Sequence, residues 1–260
     1  MSSKTFACAH RGDSSLFREN TIVAIQSAID AGAEVVEIDV RLSRDGKVIV
    51  LHDSNLERLW GITKESTQMD WAEISQLGQG EDRIPLLIDV LKLFVGTKSI
   101  LMIDMEQPDP AASAMAVVEA GKLRQSQITW CGNLDGMKII RGLNKDARVW
   151  LPWNEVGVPN QELLNEVKPE FINLNYSYID KKLVDTCHAM GYKVSAWTID
   201  DRPTMRWAVA IGIDSVTTNQ LSDLQAVNKE NPTLDISGKR VVPFEELDID
   251  YAMEVARTIA

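Results

Sequence analysis

The sequence is short of the residue types that build thiolate clusters, disulfide frameworks and imidazole-rich metal sites. It holds three cysteines and three histidines in 260 residues. Cys8, Cys131 and Cys187 are odd in number, far apart and set in apolar segments, so they read as buried reduced thiols with no catalytic role. Basic charge is also scarce. Twenty-seven lysines and arginines face 38 acidic residues, and the net charge of −11 repels nucleic acid and anionic membrane. An anionic small-molecule substrate must therefore be drawn in by a local cation or a metal. No apolar run reaches the length of a membrane span, so no stable membrane insertion is expected. The opening "MSSKTFACAHRG" lacks the zones of a signal peptide, and a cytoplasmic location is the expectation. GxGxxG, P-loop, HExxH and GxSxG motifs are missing as well.

What is present is alternation. Short apolar or β-branched runs such as "FACAH", "VVEIDVRL", "KVIVLH", "ILMIDM" and "KVSAW" recur between helix-like stretches. "NTIVAIQSAIDAG" opens on a capping residue, Asn20 or Thr21, carries Ile22, Ile25 and Ile29 at helical spacing, and stops at Gly32. Repeated strand-helix alternation predicts an α/β fold with a parallel sheet. At this length a (β/α)8 TIM-type barrel leads, with an open doubly wound sheet as the alternative. The strand candidates exceed eight by one, and a hairpin at "RDGK" absorbs the surplus, with Asp45 and Gly46 as a two-residue turn. Arg44 opposite Lys47 would set Val40 against Leu51, Leu42 against Ile49 and Asp39 against His52. Side-chain alternation would then gather Glu37, Asp39 and His52 on one face. Residues 54–84 read as an excursion over one barrel end, a lid or pocket wall. The whole chain reads as one domain, a barrel over about 5–223 and an extension over about 224–260 ending in the helix "FEELDIDYAMEVARTIA". The extension packs on the barrel or on another subunit, which leaves a homo-oligomer open.

His10 and Arg11 close the first strand just before Gly12, at the end where barrels build their active sites. Taken singly, each candidate has a plain explanation: a solvated arginine, a salt-bridged strand, an Asp-capped turn at His52-Asp53. Taken together they resist it. Two imidazoles supply an acid-base pair. Carboxylates without a Cys or His cluster form a hard oxygen site suited to Mg²⁺ or Ca²⁺. With a permanently charged arginine added, the set fits an anionic phosphoester. His188, in mid-helix, is excluded from catalysis.

"AHRG", "ENT" at 19–21, "AGAEVVEIDV", "DGKVIVLHD", a strand near Leu101, "VSAWTID" and "IGIDSVTTN" follow one another in a familiar order and spacing. Over about residues 5–223 the chain resembles the glycerophosphodiester phosphodiesterases. The resemblance implies a TIM-type barrel that hydrolyses a glycerophosphodiester to an alcohol and glycerol 3-phosphate. It implies that Glu37 and Asp39 hold one Mg²⁺ or Ca²⁺ ion and that His10 and His52 act as general acid and base. Arg11 would hold the phosphodiester, Glu19 would stand near the site orienting Arg11, and Trp197 would line the pocket. One segment departs from the family. Its usual Glu-x-Lys reads "MIDMEQ" here, so Asp104 takes the place of a metal glutamate and Glu106 that of a phosphate-binding lysine. A carboxylate at 106 would repel phosphate unless it met a cationic head group, a second cation or a nearby arginine. Two alternatives therefore stand beside the main reading: a phosphodiesterase for a lysophospholipid or sugar phosphodiester, and a barrel that binds a phosphodiester without turnover.

Overall fold

Helix Ile22–Asp30 starts where Thr21 Oγ1 accepts from the Ala24 amide at 3.3 Å, and its buried face is Ala24, Ile25 and Ala28. Helices Lys181–Ala189 and Arg202–Ile211 start the same way, capped by Asp180 and Asp201. The computed structural model describes residues 4–121, 123–230 and 232. Between such helices lie the strands β1 (Phe6–Ala9), β2 (Val35–Leu42), β3 (Val48–Val50), β4 (Ile100–Met105), β5 (Ile128–Gly132), β6 (Trp150–Trp153), β7 (Phe171–Asn175), β8 (Lys193–Trp197) and β9 (Ser215–Thr218).

All but β3 join one parallel path in the order β6-β7-β8-β9-β1-β2-β4-β5. A parallel bridge from Trp130 to Val149, with the Trp130 amide on Arg148 O at 3.0 Å, brings β5 to the threshold of β6 and nearly closes the ring. The expected (β/α)8 barrel is the fold. Along each strand one set of side chains, including Ala7, Val36, Ile38, Leu101 and Ile103, packs outward in a cluster with the helices. The alternate set, Cys8, Val35, Met102, Cys131, Trp150 and Phe171, forms a separate cluster that fills the interior. Trp150 stacks on Phe171 there with ring centroids 3.9 Å apart.

The hairpin differs from its expected register. Val40 pairs with Val50, Arg41 with Ile49 and Leu42 with Val48, one residue short of the predicted pairing. The Ser43 amide donates to Lys47 O at 3.0 Å, and the Ser43 hydroxyl both donates to Asp45 at 2.6 Å and accepts from the Lys47 amide at 2.9 Å. Together with Gly46 at φ +75°, these bonds stabilise a three-residue tip in place of a two-residue turn. Asp39 therefore faces Leu51, whose amide donates to Asp39 O at 3.0 Å. Glu37, Asp39 and Arg41 share a face by alternation, whereas His52 lies past the end of β3 and is placed by the chain that follows.

That chain, the 54–84 excursion, folds on a core of its own made of Ile49, Leu51, Leu56, Met69, Ile74 and Ile84. It carries Arg58 on helix Glu57–Trp60 toward the barrel mouth. The last helix among the described residues, Leu221–Glu230, straddles the boundary drawn near residue 223 and ties back through Asn228 Nδ2 on Thr5 O at 2.9 Å. The predicted tail helix lies outside the described residues. Among the described residues no helix is long and apolar enough to cross a membrane.

Candidate active site

A cavity of about 450 Å³ opens among the C-terminal ends of the strands, bordered by His10, Arg11, Glu37, Asp39, His52, Asp104, Glu106 and Trp197. Each sequence-derived site residue except Glu19 thus meets one space. Glu19 stands behind, its Oε1 accepting from Arg11 Nη1 at 2.8 Å.

The "HRG" turn is built on two successive left-handed residues, Arg11 at φ +58° and Gly12 at φ +80°. A side chain at 12 would meet the Ala24 backbone at 2.7 Å, so glycine is required. The reversal aims the Arg11 amide at Glu37 Oε2, 2.7 Å away, and lets the guanidinium reach Asp39 Oδ2 at 3.3 Å. The atom that makes this contact is the buried Nε, so it is held in an ion pair with Asp39 rather than in an aligned hydrogen bond. Asn20, also left-handed at φ +60°, clamps Asp39 twice: its Nδ2 donates to Oδ2 at 2.7 Å and its Oδ1 accepts from the Asp39 amide at 3.1 Å.

The two histidines sit in different surroundings. His10 Nδ1 meets Asn219 Oδ1 at 2.8 Å, and Asn219 Nδ2 donates to Asp200 at 2.7 Å, which fixes the amide so that its oxygen faces the ring. Nδ1 of His10 then donates, and Nε2 keeps a lone pair. Burial, then the Arg11 charge, lowers the His10 pKa and favours this neutral ring. His52 instead has a carboxylate oxygen at each nitrogen: Asp53 Oδ1 at 2.8 Å from Nδ1 and Glu106 Oε1 at 3.0 Å from Nε2. A carboxylate only accepts, so Nδ1 donates to Asp53, while Nε2 faces Glu106. Burial works to raise Asp53, yet hydrogen bonds from Arg58 and His52 outweigh it and hold its pKa at about 2. Arg58 also binds Glu19, at 2.6 and 3.0 Å.

Glu106 meets the nearby arginine. Its Oε2 pairs with Arg41 Nη2, whose Nε bonds the His52 carbonyl. The charge reversal is thus balanced inside the chain.

The carboxylates below them are not balanced. Asp39 and Asp104 are direct neighbours across β2 and β4, with Glu37 two residues earlier on β2. Burial, then repulsion from Asp39 and Asp104, pushes Glu37 well above the usual carboxylate range. Burial and the Asp39 charge raise Asp104 to about 7. Arg11 is the one guanidinium bordering the cavity, and it also serves Glu19. An all-oxygen set short of positive charge suits a hard divalent ion. No three His, Cys, Asp or Glu side chains among the described residues surround one point as they stand. The fit is therefore one of charge and donor type.

Cys131 has more to do than fill space. Burial raises its pKa well above the ordinary thiol range, so it stays protonated, hydrogen-bonded to Asp104 and accepting from Asn173 Nδ2 at 2.9 Å. Sequence reasoning also passed over Asn20, Arg41, Arg58 and the Asn219–Asp200 pair. The alternation of Arg41 with Glu37 and Asp39 was the one readable signal among them. His188 bonds Asp214 at 2.7 Å on the barrel's outer side, apart from this cavity.

The model of the glycerophosphoryl diester phosphodiesterase family matches residues 10–222. The chain belongs to this family. A glycerophosphodiester phosphodiesterase of Caldanaerobacter subterraneus subsp. tengcongensis is 30% identical over 238 residues, covering 83% of this chain and 94% of that protein. The solved glycerophosphodiester phosphodiesterase of Thermotoga maritima shares 27% identity at a TM-score of 0.72, covering 86% and 98% of the two chains. An Oleispira antarctica phosphodiesterase, solved with its product sn-glycerol-3-phosphate, shares the fold at a TM-score of 0.78 and 24% identity, covering 86% and 96%. As a family member the chain is an enzyme of the phosphoric diester hydrolase class.

Proposed function

We propose that the protein hydrolyses a small glycerophosphodiester to an alcohol and glycerol 3-phosphate, with His10 as first base and His52 as first acid. The observation that carries this reading is the meeting of two imidazoles in different surroundings on one cavity: His10 binds Asn219 through Nδ1, and His52 has a carboxylate oxygen beside each nitrogen. His10 takes the proton of the substrate's own 2-hydroxyl, whose oxygen bonds to phosphorus. An adjacent hydroxyl is already intramolecular, which removes much of the entropic barrier. The phosphorus–alcohol bond breaks, and His52 gives its Nε2 proton to the departing oxygen. In the second half the roles reverse. His52 takes a proton from water as it opens the cyclic phosphate, and His10 returns its proton to the 2-oxygen.

Arg11, a permanent cation bordering the cavity, binds the phosphodiester oxygens and is oriented by Glu19. Trp197 forms a wall for the glycerol side. Glu37, Asp39 and Asp104 would hold one Mg²⁺ or Ca²⁺ ion, which when bound neutralises charge on the phosphoryl oxygens. The product found in the Oleispira phosphodiesterase supports the choice of glycerol 3-phosphate. Three buried free thiols support a reducing, cytoplasmic setting.

A second reading, a lysophospholipid substrate, has one observation in its favour. Leu16 and Phe17 after β1, and Val156 after β6, are exposed on loops at the cavity end of the barrel. One assay, which follows both glycerol 3-phosphate and the choline that either substrate would release, tests both. Release of glycerol 3-phosphate from glycerophosphocholine with Mg²⁺ or Ca²⁺, abolished by EDTA, is the expected result. Turnover confined to lysophosphatidylcholine would establish the second reading. No turnover of either with any metal would contradict both.

A further inference from the structure

Glu106 stands between two cavities. Beyond the one described lies an open groove of about 540 Å³ that shares His52 and Glu106 with it and is otherwise walled by Asp53, Ser54, Asn55, Glu57 and Arg58. No apolar side chain lines this groove. Arg58 is engaged with Asp53 and Glu19.

His52 Nδ1 is held by Asp53, which leaves Nε2 as the nitrogen able to protonate a leaving alcohol. Glu106 Oε1 lies 3.0 Å from that nitrogen. For a leaving oxygen to reach Nε2, Glu106 must move aside, and a carboxylate that gives up the imidazolium of the acid form needs another cation to restore the balance. Arg41 keeps hold of the other oxygen, Oε2, so the side chain can exchange one partner without leaving its place.

Resting on the function proposed above, we infer that Glu106 selects leaving alcohols that carry an ammonium head, by exchanging its contact with His52 Nε2 for that head. In a 2-amino-alcohol the nitrogen lies two carbons from the departing oxygen. When that oxygen sits at Nε2, the ammonium falls beside Glu106 and the remainder of the head enters the polar groove. The exchange keeps charge constant: one cation replaces another at Oε1 while the His52 proton becomes free for transfer. A neutral polyol offers hydrogen bonds alone, and an anionic head meets Glu106, Asp53 and Glu57. The departure from the family's lysine thus changes which alcohol is preferred.

The test compares kcat/KM for glycerophosphocholine, glycerophosphoethanolamine and glycerophosphoglycerol in the metal-loaded wild type, Glu106→Gln and Glu106→Lys. The wild type should favour the two cationic heads over the neutral one by about fivefold, the upper ratio a single part-exposed charge contact supplies. Glu106→Gln should bring that ratio near one, and Glu106→Lys should invert it. The choline and ethanolamine arms separate charge from N–H donation: equal preference marks charge, and preference for ethanolamine alone would overturn the charge assignment. A wild-type ratio near one, or a preference that survives in Glu106→Gln, would overturn the inference while leaving the hydrolase reading intact. Failure to hydrolyse any of the three would overturn that reading and the inference with it. The wild-type ratio is decisive by itself should a variant fold poorly.

Discussion

At the lower end of the barrel, Cys8, Val35, Met102, Trp150 and Phe171 are each no more than 2% exposed; at the upper end, Glu37 and Asp39 are 3% and 6% exposed. On β2 and β4 the two layers share a strand: Val35 precedes Glu37 and Met102 precedes Asp104 in the same inward-facing row. Below, burial is repaid by contact, with Trp150 stacked on Phe171. Above, it is opposed by charge, with carboxylates that repel one another and draw on one bordering guanidinium. The lower end is held by apolar contact with one buried donor, Trp150 Nε1, left unpartnered, whereas the upper end is left short of positive charge. Stability and activity should therefore separate along the barrel axis.

The largest effect belongs to the upper end. His10→Ala and His52→Ala should each lower kcat by about 10²–10⁴-fold with an unchanged melting curve. Near-normal turnover in either would remove that ring from the proton transfers. The lower end should answer in the other currency. Trp150→Ala should cost about 3–5 kcal/mol in denaturant unfolding, because the deleted ring leaves a cavity among fully buried neighbours. Glu37→Gln should leave the metal-free protein as stable or more so, since burial and the neighbouring carboxylates already favour an uncharged side chain there.

A pH series sharpens the contrast. In the metal-free fold Asp104 is held near 7, against an ordinary value of 3.8. Between those values the folded chain binds more protons than the unfolded one, so this group's contribution to stability falls as pH rises from about 4 to about 7. His10, whose pKa is lowered by burial and Arg11, acts with the opposite slope around its ordinary 6.5. The difference between wild type and Asp104→Asn isolates the carboxylate, and urea midpoints in EDTA at pH 5 and pH 8 measure it. A difference that does not change with pH would show that Asp104 ionises normally. The smallest effect lies at the boundary between the layers. Cys131→Ala should cost about 1 kcal/mol through its lost hydrogen bond to Asp104, with part of the activity kept.

Much of this contrast could be read before folding. Strand-helix alternation carries the barrel because each strand and each helix announces its own period. His10, Arg11, Glu37, Asp39, His52, Asp104, Glu106 and Trp197 meet at one cavity because barrel topology brings strand ends together whatever lies between them. The groups that fix those side chains were not readable. Asn20 looked like a helix cap and clamps Asp39; Asn219 and Asp200 look like turn residues and set the His10 tautomer. Their partners lie far away in sequence, and a polar residue carries no local mark of such a pairing. The hairpin register failed for a local reason. Ser43 binds both sides of the tip and lengthens it by one residue, which shifts every pair of β2 and β3. Glu106 could be recognised as a departure from the family, but its balance by Arg41 depends on the folded strands.

The central claim, that the upper end lacks one hard cation, is tested most directly by calorimetric titration of Mg²⁺ and Ca²⁺ into EDTA-stripped wild type and Glu37→Gln. The account predicts one ion bound per wild-type chain, with binding lost in the variant. No binding to the wild type, or undiminished binding to Glu37→Gln, would contradict it.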